Sequence, residues 1–97
     1  EKVFPEEVEI ALKSHPGVYD AVVIGLPDDR FGERVSAVVQ RRRGTQVDAS
    51  ALELHCREKL ADFKVPRRIV FVDEVARRPT GKADLVWARR QVAENTD

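Results

Sequence analysis

The sequence predicts an α+β domain with a small three-stranded sheet, including a two-stranded ribbon, and about three packed helices. Apolar residues recur at helical spacing in three segments, and strand-like runs occupy three others. The predicted order is helix, strand, strand, helix, strand, loop, helix, which is typical of a small α+β domain with helices packed on its sheet. The 97 residues are 42% apolar and 35% charged, as expected for one globular domain.

The first helix is predicted to begin at Pro5, which can occupy the first helical position because an N–H would have no partner there. Glu6 and Glu7 place negative charge near the positive end of the helix dipole. The residues that follow at helical spacing are Val8, Ala11, Leu12 and His15. The pair Pro16-Gly17 then ends the helix.

The next segment predicts an antiparallel ribbon of two strands. Residues 18–26 are nearly all apolar and β-branched, which indicates a strand covered on both faces. A turn is predicted at Pro27-Asp28-Asp29, followed by a second strand over residues 33–42. Gly44 closes the ribbon.

The remaining elements are a helix, a strand, a loop and a last helix. Asp48 or Ser50 can cap the first of these helices. Its predicted buried positions are Ala49, Leu52, Cys56 and Leu60. Strand residues 67–73 and a polar loop at 77–82 precede the last helix, residues 83–93. That helix is predicted to bury Leu85, Ala88 and Val92.

Composition argues against several functional classes. The formal net charge is zero, so no overall field recruits nucleic acid or anionic lipid. No apolar run approaches the roughly 18 residues of a membrane span. Cys56 is the only cysteine; we expect a buried core thiol and a cytoplasmic location. One cysteine and two histidines do not supply the usual ligands of a structural zinc site, so no metal ligands are predicted.

The sharpest local feature is the lysine loop, residues 78–82 (RPTGK). A glycine before a lysine permits a tight turn and leaves the ammonium free to reach outward. Such a lysine can stabilise negative charge developing on phosphate or carboxylate oxygens. Taken alone, however, these five residues fit a surface turn with a solvated lysine better.

Five segments carry a family resemblance. In order they are residues 2–9 (KVFPEEVE), 15–23 (HPGVYDAVV), 25–33 (GLPDDRFGE), 60–67 (LADFKVPR) and 79–82 (PTGK). They resemble the motifs of the C-terminal domain in adenylate-forming, AMP-binding enzymes, a superfamily of acyl-CoA synthetases, peptide-synthetase adenylation domains and luciferases. Each motif is weak by itself, but their common order covers nearly the whole chain.

The resemblance implies that residues 1–97 are one C-terminal domain, which acts as a mobile lid. We expect the chain to be a fragment, with the hinge and the N-terminal adenylate-binding domain upstream of Glu1. The implied enzyme is an acid–CoA ligase, specifically a fatty acyl-CoA synthetase. It uses ATP to form acyl-AMP from a carboxylic acid and transfers the acyl group to CoA. Mg²⁺ would be bound mainly through the N-terminal domain.

The same resemblance implies roles for individual residues. Lys82 would be the adenylation lysine, and Thr80 and Gly81 would belong to its nucleotide-contacting loop. Residues implied on the CoA side are Lys2, Phe31, Phe63, Arg67 and Arg57. Ordinary core packing is an equal reading of the two phenylalanines. A solvated helix face is the preferred reading of Arg57.

Two alternatives remain open from the sequence. A peptide-synthetase adenylation domain usually carries LPxYMxP where residues 60–66 read LADFKVP, and this difference favours the ligase. A non-catalytic α+β interaction module is the alternative from another class. The chain also departs from the family at Val75-Ala76, where Leu-Pro is frequent, and at Ala83-Asp84, which follows the lysine.

Overall fold

A computed structural model describes residues 2–28 and 32–95 of the chain. Its elements are α1 (Pro5–Lys13), β1 (Val18–Asp28), β2 (Gly32–Arg41), α2 (Ala49–Arg57), a 3₁₀ turn (Asp62–Lys64), β3 (Arg68–Val72) and α3 (Leu85–Glu94). This order confirms the predicted α+β class. Within the described ranges, no helix is long and apolar enough to cross a membrane.

The three strands form one sheet in the order β1-β2-β3. β1 and β2 are antiparallel, with Val22 opposite Val38, so the predicted ribbon is part of this sheet. β3 runs parallel to β2, with Val38 opposite Val70. The connection from β2 to β3 passes through α2, as a parallel pair requires. β1 is therefore an edge strand.

Helices cover both faces of the sheet. α1 and α2 pack on one face, over a cluster that includes Val8, Leu12, Val23, Val39, Leu52 and Cys56. α3 packs on the other face, over a cluster that includes Val22, Ile24, Val38, Val70, Ala88 and Val92. Alternate residues of β1 and β2 enter different clusters, which explains why β1 is nearly continuously apolar.

Helix starts are set by local chemistry. α1 begins at Pro5 and carries Glu6 and Glu7 in its first turn, as predicted. For α2, the Asp48 carboxylate accepts a hydrogen bond from Ala51 N–H at 2.8 Å, so Asp48 is the cap and Ser50 is not. Asp84 caps α3 by accepting from Trp87 N–H at 3.0 Å, a cap that the sequence analysis missed.

The predictions for Leu85 and for the turn after β1 were wrong, and the prediction for Cys56 is confirmed. Leu85 was expected to be buried but is 41% exposed. It is the first residue of α3, and side chains lean toward a helix's N-terminus, so Leu85 projects beyond the cluster. Pro27 and Asp28 belong to β1 rather than to a turn. Cys56 is buried as predicted, and burial raises the pKa of its thiol to about 11.

Candidate functional site

The lysine loop is a short hairpin-like structure between β3 and α3. Arg77 and Ala83 form an antiparallel bridge at its base. The Arg78 N–H donates to the Lys82 carbonyl at 2.9 Å, and the Gly81 N–H donates to the Arg78 carbonyl at 2.8 Å. Gly81 has a φ of +89°, a conformation that residues with a Cβ rarely adopt. The loop therefore has a defined backbone and does not behave as an extended tether.

Lys82 lies at the exposed side of this loop. Its N–H is 3.5 Å from the Thr80 hydroxyl oxygen, a long contact that adds little stability. The space beside Gly81 is open, because no atom outside the neighbouring residues lies within 4 Å of the position that a Cβ would take. The ammonium can thus approach an external anion from this side of the domain.

The loop is attached to β1 by an arginine–carboxylate pair. Arg77 Nε donates to Asp20 Oδ2 at 2.9 Å, and Arg77 Nη2 donates to Asp20 Oδ1 at 2.8 Å. Arg77 Nη1 donates to the Gly81 carbonyl at 3.0 Å. This bidentate geometry is the strong form of a charge-assisted hydrogen bond.

The electrostatics of the pair favour both charges. Burial alone would raise the pKa of Asp20, but hydrogen bonds from Arg77 and from the Ala21 N–H hold that pKa below its ordinary value. The hydrogen bonds that Arg77 donates to the Asp20 carboxylate raise the pKa of Arg77. Glu9 lies near the same arginine; burial raises its pKa, although it accepts a hydrogen bond from the Val23 N–H at 2.8 Å.

A second candidate region is a groove beside Lys2. It has a volume of about 230 Å³ and is lined mainly by Lys2, Val3, Pro5, Gly25, Glu33 and Val35. A Cβ added at Gly25 would lie 2.5 Å from Glu33 Oε2, so a larger residue there would displace the Glu33 carboxylate. Lys2 is exposed at the groove, and its ammonium lies 5.7 Å from the centre of the Phe4 ring.

A third region is a polar cleft of about 280 Å³ between α2 and the start of β3. Its lining includes Glu53, Arg57, Asp62 and Arg67. Arg57 Nη1 is 2.6 Å from Asp62 Oδ1, and both side chains are more than half exposed. Because acidic and basic residues balance in this cleft, an anion must compete with Asp62 for Arg57.

The two phenylalanines have different outcomes. Phe63 is 43% exposed, so it does not serve as a core residue. Lys64, its neighbour, pairs with Glu7 of α1 at 2.9 Å and thereby fixes the 3₁₀ turn. The Lys64 ammonium also lies 5.6 Å from the centre of the Phe63 ring. Phe31 lies outside the described residues.

The structure does not bring all predicted site residues into one place. Lys82 is attached through Arg77 to Asp20, near the start of β1, whereas the groove beside Lys2 lies at Gly25. Five residues along a strand correspond to about 17 Å. Arg57 and Arg67 share one cleft. The domain therefore carries separate candidate regions. Arg77 and Asp20, which hold the lysine loop in place, were not among the site residues predicted from the sequence.

Comparison with known proteins decides the family. Residues 7–82 match the model of the AMP-binding enzyme C-terminal domain. The chain belongs to this family. This AMP-binding enzyme C-terminal domain is 59% identical over 91 residues to a 3-oxocholest-4-en-26-oate–CoA ligase of Rhodococcus rhodochrous. It is 54% identical over 91 residues to a medium/long-chain fatty acid and 3-oxocholest-4-en-26-oate–CoA ligase of Mycobacterium tuberculosis.

Each of these alignments covers 94% of the AMP-binding enzyme C-terminal domain described here but only 16–17% of the relative. The chain thus spans about one sixth of the length of the curated relatives it matches. Among solved structures, it is similar to a Mycobacterium tuberculosis fatty acyl CoA synthetase, with a TM-score of 0.85 and 33% identity. That match covers 100% of this chain and 19% of the synthetase.

Proposed function

We propose that this domain is the C-terminal lid of an AMP-forming acid–CoA ligase. The enzyme would activate a carboxylic acid with ATP to give acyl-AMP and pyrophosphate, and CoA thiol would then displace AMP. The observation that carries the proposal is the exposed Lys82 on a hydrogen-bonded loop, in a chain of the AMP-binding enzyme C-terminal domain family. Its partner would be the enzyme's own N-terminal adenylate-binding domain, joined through a hinge upstream of residue 1.

Lys82 would act in the first half-reaction. As the acid's carboxylate oxygen attacks the α-phosphorus of ATP, negative charge builds on the phosphoryl oxygens while pyrophosphate leaves. An ammonium held between the carboxylate and the phosphate would stabilise that charge and orient the two groups. The neighbouring Thr80 and Gly81 would allow the loop to approach the nucleotide closely. Loss of one preorganised charge contact typically costs about 10²–10³ in rate.

Other residues would serve the second half-reaction. The groove beside Lys2 is lined largely by apolar residues, which suits the pantetheine arm of CoA. Phe63 and the Arg57–Arg67 cleft would meet the rest of CoA, with the arginines as partners for its phosphates. Phe31 is proposed for the same side on its motif position alone.

We propose no Mg²⁺ site among the described residues of this domain. Within residues 2–28 and 32–95, no group of three His, Cys, Asp or Glu side chains could hold a metal ion. We therefore propose that any Mg²⁺ is held by ATP and the N-terminal domain. The single buried thiol of Cys56 suits a reducing compartment, and we propose the cytoplasm.

The acid is proposed to have a large apolar body. This proposal is supported by the relatives, which are ligases for medium- and long-chain fatty acids and for 3-oxocholest-4-en-26-oate. A fatty acid is the primary candidate, and the steroid acid is the second. Competition between the two acids for the full-length enzyme would rank them.

The decisive test of the function is Lys82→Ala in the full-length enzyme, with the two half-reactions measured separately. Acyl-adenylate formation should fall about 10²–10³-fold, whereas thioester formation from supplied acyl-adenylate should remain nearly unchanged. Lys59→Ala, which removes an exposed lysine elsewhere, is the matched control. Equal loss of both half-reactions, or loss of neither, would show that Lys82 is not the adenylation lysine.

The CoA side has its own test. Phe63→Ala and Arg67→Ala in the full-length enzyme should raise the KM for CoA or slow thioester formation, because both groups would touch CoA. Pyrophosphate release should change much less. Thermal unfolding of each variant serves as the folding control. If pyrophosphate release falls as much as thioester formation, the variants have damaged the fold and the CoA assignment fails.

A further inference from the structure

The proposed function uses Lys82 but leaves the arginine at the base of its loop without a role. The Arg77 guanidinium makes three hydrogen bonds, two to the Asp20 carboxylate and one to the Gly81 carbonyl. The side chains of Arg77 and Asp20 are only 31% and 16% exposed. An isolated surface ion pair contributes little to stability, but this pair is partly buried and has bidentate geometry.

The hydrogen bonds control the two peptide groups that flank the Lys82 Cα. The carbonyl of Gly81, in the peptide group before Lys82, accepts from Arg77 Nη1 at 3.0 Å. The carbonyl of Lys82, in the peptide group after it, accepts from the Arg78 N–H at 2.9 Å. With both peptide planes held, the direction of the Lys82 Cα–Cβ bond is fixed.

The residue that holds Arg77, Asp20, lies on the sheet. Asp20 belongs to β1, which pairs along its length with β2, and it is 57 residues away from Arg77 in sequence. Arg77 therefore connects the exposed loop to a strand of the sheet and holds the loop in one position relative to that strand. A lysine at this position would keep the charge, but it could not contact both Asp20 oxygens and the Gly81 carbonyl through one planar group.

We propose that Arg77 is a positioning residue for acyl-adenylate formation: held by Asp20, it fixes the Gly81 carbonyl and so the direction in which Lys82 leaves the loop. This inference rests on the proposed function, because it needs Lys82 to act in that step. A displacement of about 1 Å in a catalytic group can cost about 10²-fold in rate, so the rate of acyl-adenylate formation should report the role.

The test uses Arg77→Gln in the full-length enzyme, at saturating acid and ATP. Acyl-adenylate formation should fall roughly 10–100-fold, and thioester formation from supplied acyl-adenylate should stay within about threefold. The second half-reaction serves as an internal control for folding. Arg43→Gln, an exposed arginine on another turn, should leave both rates unchanged. Arg77→Lys should be as impaired as Arg77→Gln, since charge alone does not restore the three contacts.

A double variant tests whether Asp20 acts through Arg77. Asp20→Asn alone should slow acyl-adenylate formation, and Asp20→Asn with Arg77→Gln should be no slower than Arg77→Gln alone. If the losses of the two single variants multiply in the double variant, Asp20 does not act through Arg77 and the proposal is overturned. Equal loss of both half-reactions in Arg77→Gln, or no loss, would also overturn it. If Lys82→Ala leaves acyl-adenylate formation intact, the proposed function has failed. If Lys82→Ala impairs acyl-adenylate formation but Arg77→Gln does not, the proposed function stands and only the inference about Arg77 has failed.

Discussion

Gly81→Ala gives a sharp test of the loop geometry. With φ at +89°, an alanine at this position suffers about 1–2 kcal/mol of backbone strain. Reduced freedom of the unfolded chain returns about 0.4–1 kcal/mol, so the net loss of stability is at most about 1.6 kcal/mol. No clash adds to this value, since nothing lies within 4 Å of the new Cβ. The unfolding temperature of the 97-residue chain should therefore fall by no more than about 13 °C.

Gly81→Ala should affect the rate of acyl-adenylate formation more strongly than it affects the free energy of unfolding. The strain is as large as the net contribution of one loop hydrogen bond, so the loop is expected to relax and to move Lys82. Acyl-adenylate formation by the full-length Gly81→Ala enzyme should fall by up to about 10²-fold, while thioester formation from supplied acyl-adenylate persists.

Gly44→Ala is the matched control for this prediction. Gly44 has nearly the same φ, +83°, and the same open surroundings, but it lies in the turn after β2. Its replacement should lower the unfolding temperature similarly and leave both half-reactions unchanged. The reasoning is refuted if Gly81→Ala adenylates at the original rate, or if Gly44→Ala is impaired to the same extent.

The remaining predictions concern the stability of the chain itself. Leu52→Ala, at a fully buried position, should lower the free energy of unfolding in urea by about 2–5 kcal/mol. Leu54→Ala, at a 65% exposed position on the same helix, should lower it by no more than about 0.5 kcal/mol. Equal losses would contradict the assigned buried and exposed faces of α2. Because burial raises the pKa of Glu9, its contribution to stability is present below the ordinary value of 4.5 and is lost as the pH rises through the folded-state pKa. Glu9→Gln should therefore gain stability relative to the original chain as the pH rises above 4.5, and a difference that does not change with pH would count against a raised pKa. The isolated chain should unfold cooperatively and form no acyl-adenylate, because the pockets for ATP and acid are proposed to lie in the N-terminal domain. Ligation by the chain alone would disprove its role as a lid.

Local features of the fold could be predicted because they depend on neighbouring residues. Pro5 at the start of α1 and Asp48 at the cap of α2 follow from backbone chemistry within one turn. The apolar content of β1 predicted burial on both faces, which the two clusters confirm. Leu85 was misplaced because a periodic pattern does not show where the packed surface under a helix ends.

Long-range features could not be predicted in the same way. The parallel pairing of β2 with β3 joins Val38 to Val70, and no local pattern specifies that register. Likewise, Arg77 and Asp20 are separated by 57 residues, and an arginine in a polar loop does not indicate its carboxylate. The motif at residues 79–82 drew attention to Lys82, but the residues that orient it became visible only in the three-dimensional arrangement.

The outer edge of β1 has a consequence for solubility. The N–H groups of Ala21 and Val23 both donate at 2.8 Å to carboxylates, those of Asp20 and Glu9 respectively. A strand edge with unpaired N–H groups is a template for association with other chains, and here two such groups are already occupied by acidic side chains. As the proposed lid, this domain would change its position relative to the N-terminal domain. Charged side chains in place of open hydrogen-bond donors would allow the lid to move without recruiting strands from neighbouring molecules.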